Sequence, residues 1–379
     1  MAKFIVLRTG QPEGHRSGSA PTAPLIDIAD LSASDLRETD RDPAVIAVAR
    51  SMPTQLIEPE PLDDIRPDEA VPGWGLTAVG AETCPVTGSG VRVAVLDTGV
   101  DADHPAFAGV TLERCDFAGS GDDDAHGHGT HFTGTVLGRA VEGTRIGVAP
   151  GVTEALIGKV LTDDGHGTTA MLIRGLAWAL RARAQVIALS LAFDLTSLVQ
   201  ALIGEEDLPQ LLASAVALES YRDNLALVEA LIAQPQAGAG TVILAAAGND
   251  SRRTVSPDFE VGTPAPATAC GVMPVGALSN GDEGLAPAPF SNTRPGVAAP
   301  GGAVMSAALG GGLRALNGTS MACAHAAGVA ALWWAHLDRS EPATAAEVTR
   351  RMLADARRDG PLAALSPLDI GQGLVRAPG

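Results

Sequence analysis

The chain has 379 residues, of which 46% are hydrophobic and only 3% aromatic, and it carries a formal net charge of −18. That length predicts two domains, or one large domain with an appendage. The acidic balance excludes nucleic acid as a partner, because phosphate binding needs a basic face. A membrane span is excluded too: the most apolar segment, Met321 to Leu337, holds His325 and His336 and reads as a buried helix.

The N-terminus carries an apolar stretch from Phe4 to Leu7, which is strand length and too short for a secretory signal. A strand is expected over 2–8. Residues 10–24 are rich in Gly, Pro, Ser and Thr and read as a mobile loop. A short helix from Ser32 to Thr39 follows, capped by Ser32 or Ser34. Next come an apolar pattern within Asp42 to Ile57 and an acidic, proline-rich linker from Glu58 to Pro72. From residue 91 the chain alternates between two patterns. Val91–Leu96, Ala155–Val160, Val186–Leu191 and Thr241–Ala247 are apolar runs of the kind found in buried parallel strands. Thr130–Arg139, Thr168–Arg183, Leu211–Ala233 and Ser320–Leu337 carry helical periodicity. Such alternation predicts an α/β fold, with a mostly parallel sheet covered by helices on both faces. Chemistry then gathers where strands end and helices begin.

Three segments carry a complete nucleophile system: Val-Ala-Val-Leu-Asp-Thr-Gly at 93–99, His-Gly-Thr-His-Phe-Thr-Gly at 128–134, and Asn-Gly-Thr-Ser-Met-Ala at 317–322. A serine hydroxyl attacks poorly alone. It needs an imidazole to take its proton and a carboxylate to orient the imidazole. Alone, Asp97 reads equally well as a strand-end turn cap. The three histidines 126, 128 and 131 also admit a metal pair at i and i+3, but no third ligand is evident. Asp122, Asp123 and Asp124 read as a solvated loop, and His126 as a loop residue. The four cysteines form no CxxC pair and read as thiols in a reducing compartment. A cytoplasmic protein without cofactors is expected.

These segments, with Gly-Val-Ala-Pro at 147–150, Ala-Ala-Ala-Gly-Asn at 245–249, Pro-Val-Gly-Ala at 274–277 and Gly-Gln-Gly-Leu-Val at 371–375, resemble the subtilisin-like serine protease family over about residues 74–378. The chain order Asp, His, Ser is that of subtilisin. The resemblance implies a three-layer subtilisin-like domain over 73–379, with Asp97 as triad acid, His128 as general base and Ser320 as nucleophile. It implies Asn249 as the side-chain oxyanion donor, beside the Ser320 amide at a helix N-terminus. Gly165, His166, Gly167, Ser190, Leu191 and Ala192 would pair with an extended peptide, with Ala247 lining a pocket. Residues 1–72 resemble a small α+β inhibitory propeptide packed on the catalytic domain; a permanent stabilising domain is the alternative. The substrate would be a peptide or protein, cut generally or, alternatively, by a dedicated processing protease or transpeptidase. A catalytically silent binding protein is the reading from another class.

Departures from the family pattern set further expectations. Ala192-Phe193 replaces two glycines, and Ala324 replaces a proline four residues after Ser320. The segment Thr196 to Gly240 is longer than usual and reads as a surface insertion or as a lip over the distal subsites. The family's calcium site should be empty, since Ala106 replaces a carboxylate and Arg139 and Arg145 enter the loop.

Overall fold

The computed structural model describes residues 2–10, 24–61, 72–234, 239–281 and 284–379. Its N-terminal unit holds β1 (Ala2–Arg8), β2 (Leu25–Leu31), α1 (Ala33–Thr39) and β3 (Val45–Arg50), in the antiparallel order β2-β1-β3. Strand β2 was not foreseen. Ser32 caps α1 through a reciprocal pair: its hydroxyl accepts from the Asp35 amide at 3.3 Å, and its own amide donates to the Asp35 carboxylate at 2.8 Å. The expected loop at 10–24 and the linker at 58–72 fall largely on residues 11–23 and 62–71, outside those described.

After β4 (Pro53–Leu56) and α2 (Trp74–Val79) the main domain begins. It contains β5 (Arg92–Asp97), β6 (Thr111–Asp116), α3 (His128–Leu137), β7 (Glu154–Lys159), β8 (His166–Thr168) and α4 (Thr169–Arg181). Then follow β9 (Val186–Leu189), β10 (Leu191–Phe193), α5 (Leu195–Gly204), α6 (Gln210–Ile232), β11 (Val242–Ala246) and β12 (Val272–Gly281). The last elements needed here are β13 (Gly284–Pro287), β14 (Val297–Pro300), β15 (Val304–Ala307), β16 (Leu313–Leu316) and α7 (Thr319–Leu337).

The central sheet runs β13-β12-β11-β9-β5-β7-β6, with β14 also on β12, and every pairing is parallel except that of β13. Alternate residues of β5 face opposite ways. Val93 and Val95 join a core with Phe132, Val136 and Trp334 of α3 and α7, while Ala94 and Leu96 join one with Leu172, Leu176 and Leu227 of α4 and α6. The result is the expected three-layer α/β fold, because a parallel sheet must be covered on both faces.

The predicted strand 186–191 is in fact two. The chain leaves the central sheet at Ser190, and β10 pairs instead with β4, which also pairs with β8. The long segment 196–240 does more than either expectation: α5 lies against β4 and Tyr221 against Phe193 of β10, as a lip would, and the segment also carries the N-terminal sheet. Helix α6 packs on β3, and the Asn224 amide donates to the Arg50 carbonyl at 2.7 Å. Arg50 also pairs with Glu206. Ile5, Leu7, Ala49 and Met52 share a core with Leu227, Val228 and Leu231. The insertion is therefore the seat of the N-terminal sheet.

Candidate active site

Asp97 ends β5, and Thr98-Gly99 turn the chain back towards the start of α3. The His128 Nδ1 lies 2.8 and 3.0 Å from the two Asp97 carboxylate oxygens, and both side chains are fully buried. Nδ1 must be the donor here, since the carboxylate only accepts. Neutral His128 thus keeps Nε2 as an acceptor. Burial alone would lower the His128 pKa; the carboxylates of Asp97, Asp124 and Glu58 more than offset it and leave it raised. Gly129 lets this turn close, because a Cβ there would stand 2.2 Å from the Gly99 carbonyl oxygen.

The loop before His128 is not solvated at Asp124. That carboxylate is buried and accepts from Thr98 Oγ1, the His126 and Gly127 amides, and the amide and hydroxyl of Thr130, at 2.6–3.0 Å. It ties the strand carrying Asp97 to the helix carrying His128. Sequence reasoning missed it because three consecutive aspartates look alike until donors converge on one of them. Buried Lys159 adds a second tie, donating to the Thr98 and Asp123 carbonyls at 2.7 and 3.0 Å and to Asp163 at 2.6 Å. His131 does sit one turn into α3 as a structural residue. Its Nε2 meets the Val304 and Arg314 carbonyls, and burial drives its pKa down to about 3.

Ser320 sits in the first turn of α7, which packs on α3. Asn249 is held by Thr319, whose amide and hydroxyl both donate to Oδ1 at 2.9 Å. That fixes the amide orientation and turns Nδ2 towards the cleft. Ala247 is buried just behind, its amide bound to the Val275 carbonyl at 3.0 Å.

The cleft contains the chain's own segment 53–61. Strand β4 lies between β8 and β10, with Gln55 opposite both His166 and Ala192, Thr54 opposite Gly167, and Leu56 opposite Leu191. The Leu56 amide donates to the Gly165 carbonyl at 2.8 Å, and the Ile57 amide to the Ser190 carbonyl at 3.2 Å. The six residues 165–167 and 190–192 are thus brought together along one extended strap. Further on, the Glu60 amide donates to the Asn317 carbonyl at 3.0 Å, and Asn317 Nδ2 to the Pro61 carbonyl at 2.9 Å.

At the centre, the strap is addressed at two different carbonyls. Ser320 Oγ donates to the Ile57 carbonyl at 3.1 Å and accepts from Ser190 Oγ at 2.6 Å. Asn249 Nδ2 donates to the Glu58 carbonyl at 2.7 Å. His128 Nε2 is buried and makes no hydrogen bond to a described protein group.

In the loop where the calcium site was expected to be empty, guanidinium groups occupy the carbonyls. Arg139 donates to the Leu137 and Val152 carbonyls, and Arg145 to those of Ala81, Gly147 and Val148. All four cysteines are unpaired. Among the described residues no helix is long and apolar enough to cross a membrane.

Residues 88–367 match the model of the subtilase family. Subtilisin-like protease 6 of Arthroderma benhamiae is 33% identical over 272 residues, covering 69% of this chain and 58% of the relative. An intracellular serine protease of Paenibacillus polymyxa is 33% identical over 251 residues, 65% of this chain and 67% of the relative. Subtilisin-like protease 1 of Trichophyton rubrum is 29% identical over 311 residues, 76% of this chain and 53% of the relative. The chain therefore spans little more than half the length of several curated relatives it matches. With a family match over most of its length, on a fold and a residue cluster of the same kind, the chain belongs to the subtilase family.

Proposed function

We propose that this chain is a cytoplasmic serine endopeptidase held in check by its own strap. The observation that carries the first half is the buried Asp97–His128 pair at the start of α3, against which α7 packs with Ser320 in its first turn and Thr319 holding Asn249. In this reading Ser320 Oγ attacks a peptide carbonyl while His128 Nε2 takes its proton, and Asp97 stabilises the imidazolium. The developing oxyanion is met by Asn249 Nδ2 and by the Ser320 amide at the positive end of α7. Collapse expels the amine and leaves an acyl-enzyme for water. A fluorophosphonate should label Ser320 in wild type and not in Ser320→Ala, read by mass spectrometry of the labelled peptide. An unlabelled Ser320 in strap-free protein would overturn the assignment.

The second half rests on the split between two carbonyls. Attack requires that the nucleophile and the oxyanion donor converge on one carbonyl group. Here the hydroxyl is at Ile57 and the amide at Glu58, so the strap is one residue out of register across the serine. It binds as a substrate does and is not cut efficiently in place. Residues 1–61 thus act as an inhibitory domain, its sheet seated on α6 and its strap in the cleft.

Asp124 serves this chemistry as a positioning residue. The active base is neutral His128, so its raised pKa places the acid limb of kcat/KM above the ordinary histidine value of 6.5. Besides Asp97 and Asp124, the ionisable groups around His128 are Glu58, His126 and His131. Asp124→Asn removes one negative charge, so the limb should move to lower pH. Loss of Asp124's grip on Thr98 and Thr130 should lower kcat about tenfold, since small misplacements of catalytic groups are expensive. A pH profile of kcat/KM checks both.

A further inference from the structure

The strap also shows which substrates the cleft takes on the far side of the cut, granted the peptidase reading. Its register there is fixed by two hydrogen bonds: the Glu58 carbonyl to Asn249 Nδ2, and the Glu60 amide to the Asn317 carbonyl. A substrate whose reacting carbonyl rests on Asn249 therefore places its second downstream residue where Glu60 stands. The Glu60 carboxylate lies 3.4 Å from Arg252 Nη1. That guanidinium is not loose. Its Nη1 donates to the Asn249 carbonyl at 2.6 Å and to the Ser251 carbonyl at 2.9 Å, so it is held beside the oxyanion donor. Neighbouring Arg253 points elsewhere, bound to Glu260 and Asp369.

We propose that Arg252 forms a subsite for an acidic side chain two residues after the cleaved bond. A basic residue at this place is notable in a chain of net charge −18, whose overall field disfavours acidic peptides at long range. At about 0.15 M salt that field is screened beyond roughly 8 Å, while a contact pair survives. The guanidinium is about half exposed, with a side-chain accessibility of 50%, so the pair is of the exposed kind. Such a pair is worth up to about fivefold in an equilibrium, and a like charge in the same place costs a similar factor. Two residues upstream, His126 Nε2 lies 3.6 Å from the Glu58 carboxylate.

The test uses the full chain and fluorogenic peptides built on Thr-Gln-Leu-Ile-Ala-Ala-Xaa, which put the first Ala where Glu58 stands and Xaa where Glu60 stands; Xaa is Glu, Gln or Lys, and the cut site is verified by mass spectrometry. The expected order of kcat/KM in wild type is Glu, Gln, Lys, with about fivefold to twentyfold between the extremes. Arg252→Glu should invert it. In parallel, hydrogen exchange at the Leu56, Ile57 and Glu60 amides reads strap release. Glu60→Lys should speed exchange, and adding Arg252→Glu should slow it again. A Glu-to-Lys ratio that is flat, or unchanged by Arg252→Glu, overturns the subsite while Ser320 still takes a phosphonate. Loss of that label overturns the peptidase reading and the preference together.

Discussion

Ser320→Ala should lower turnover by on the order of 10⁴ to 10⁶, the range seen for triad removal in subtilisin itself. His128→Ala and the double variant should fall to the same floor, because the nucleophile and base act as one unit. The three variants should separate in stability. Ser320→Ala removes a hydroxyl whose partners are Ser190 and the Ile57 carbonyl, a loss of roughly 1–2 kcal/mol. His128→Ala takes the imidazole N–H away from the buried Asp97 carboxylate and leaves the ring's volume empty, a change that costs about 3 kcal/mol or more. Equal inactivity with unequal melting temperatures is the expected signature, measured by initial rates and thermal unfolding. Residual turnover in Ser320→Ala within tenfold of wild type would remove Ser320 from the mechanism.

Loosening the strap should produce the largest gain. Leu56 and Ile57 are 4% and 6% exposed, so each is seated in the cleft. Truncating a buried aliphatic side chain to Ala costs about 2–5 kcal/mol, a factor of 30 or more in the closed-to-open ratio. The Leu56→Ala, Ile57→Ala double variant should therefore cleave an added peptide at least tenfold faster than wild type, until opening no longer limits the rate. A synthetic 53–61 peptide should return it towards the wild-type rate. The Ser320→Ala chain should stay full length on storage, whereas wild type should be cut slowly between Ile57 and Trp74. A double variant no faster than wild type would show that the strap does not gate the cleft. Residues 1–61 would then be a permanent stabilising domain.

The same residues separate what the sequence determined from what only the tertiary structure decided. Asp97, His128, Ser320 and Asn249 could be proposed from the sequence because each lies at the end of a strand or start of a helix, in a motif whose glycines and apolar flanks are local requirements. The parallel sheet was legible for the same reason: four mostly apolar runs between helical patterns can be satisfied only if both faces are covered. Ser32 declared the start of α1 through a capping pair only three residues wide.

The rest depends on partners far away in the chain. Nothing local tells β4 to lie between His166 and Leu191, because period-two alternation names a buried face and no neighbour. Asp122, Asp123 and Asp124 are chemically identical; only Thr98 and Thr130, brought together by β5 and α3, make the third one a buried anchor. Leucine-rich α6 announced a covered face, but its cover comes from β3 across more than a hundred residues. The register of the strap is the furthest from the sequence. It is set by carbonyls and amides at Gly165, Ser190, Asn249 and Asn317, and backbone groups carry no residue signature. Side-chain chemistry wrote the proposed nucleophile system into local motifs, whereas the strap is held in the cleft by main-chain bonds that exist only once the chain has closed on itself.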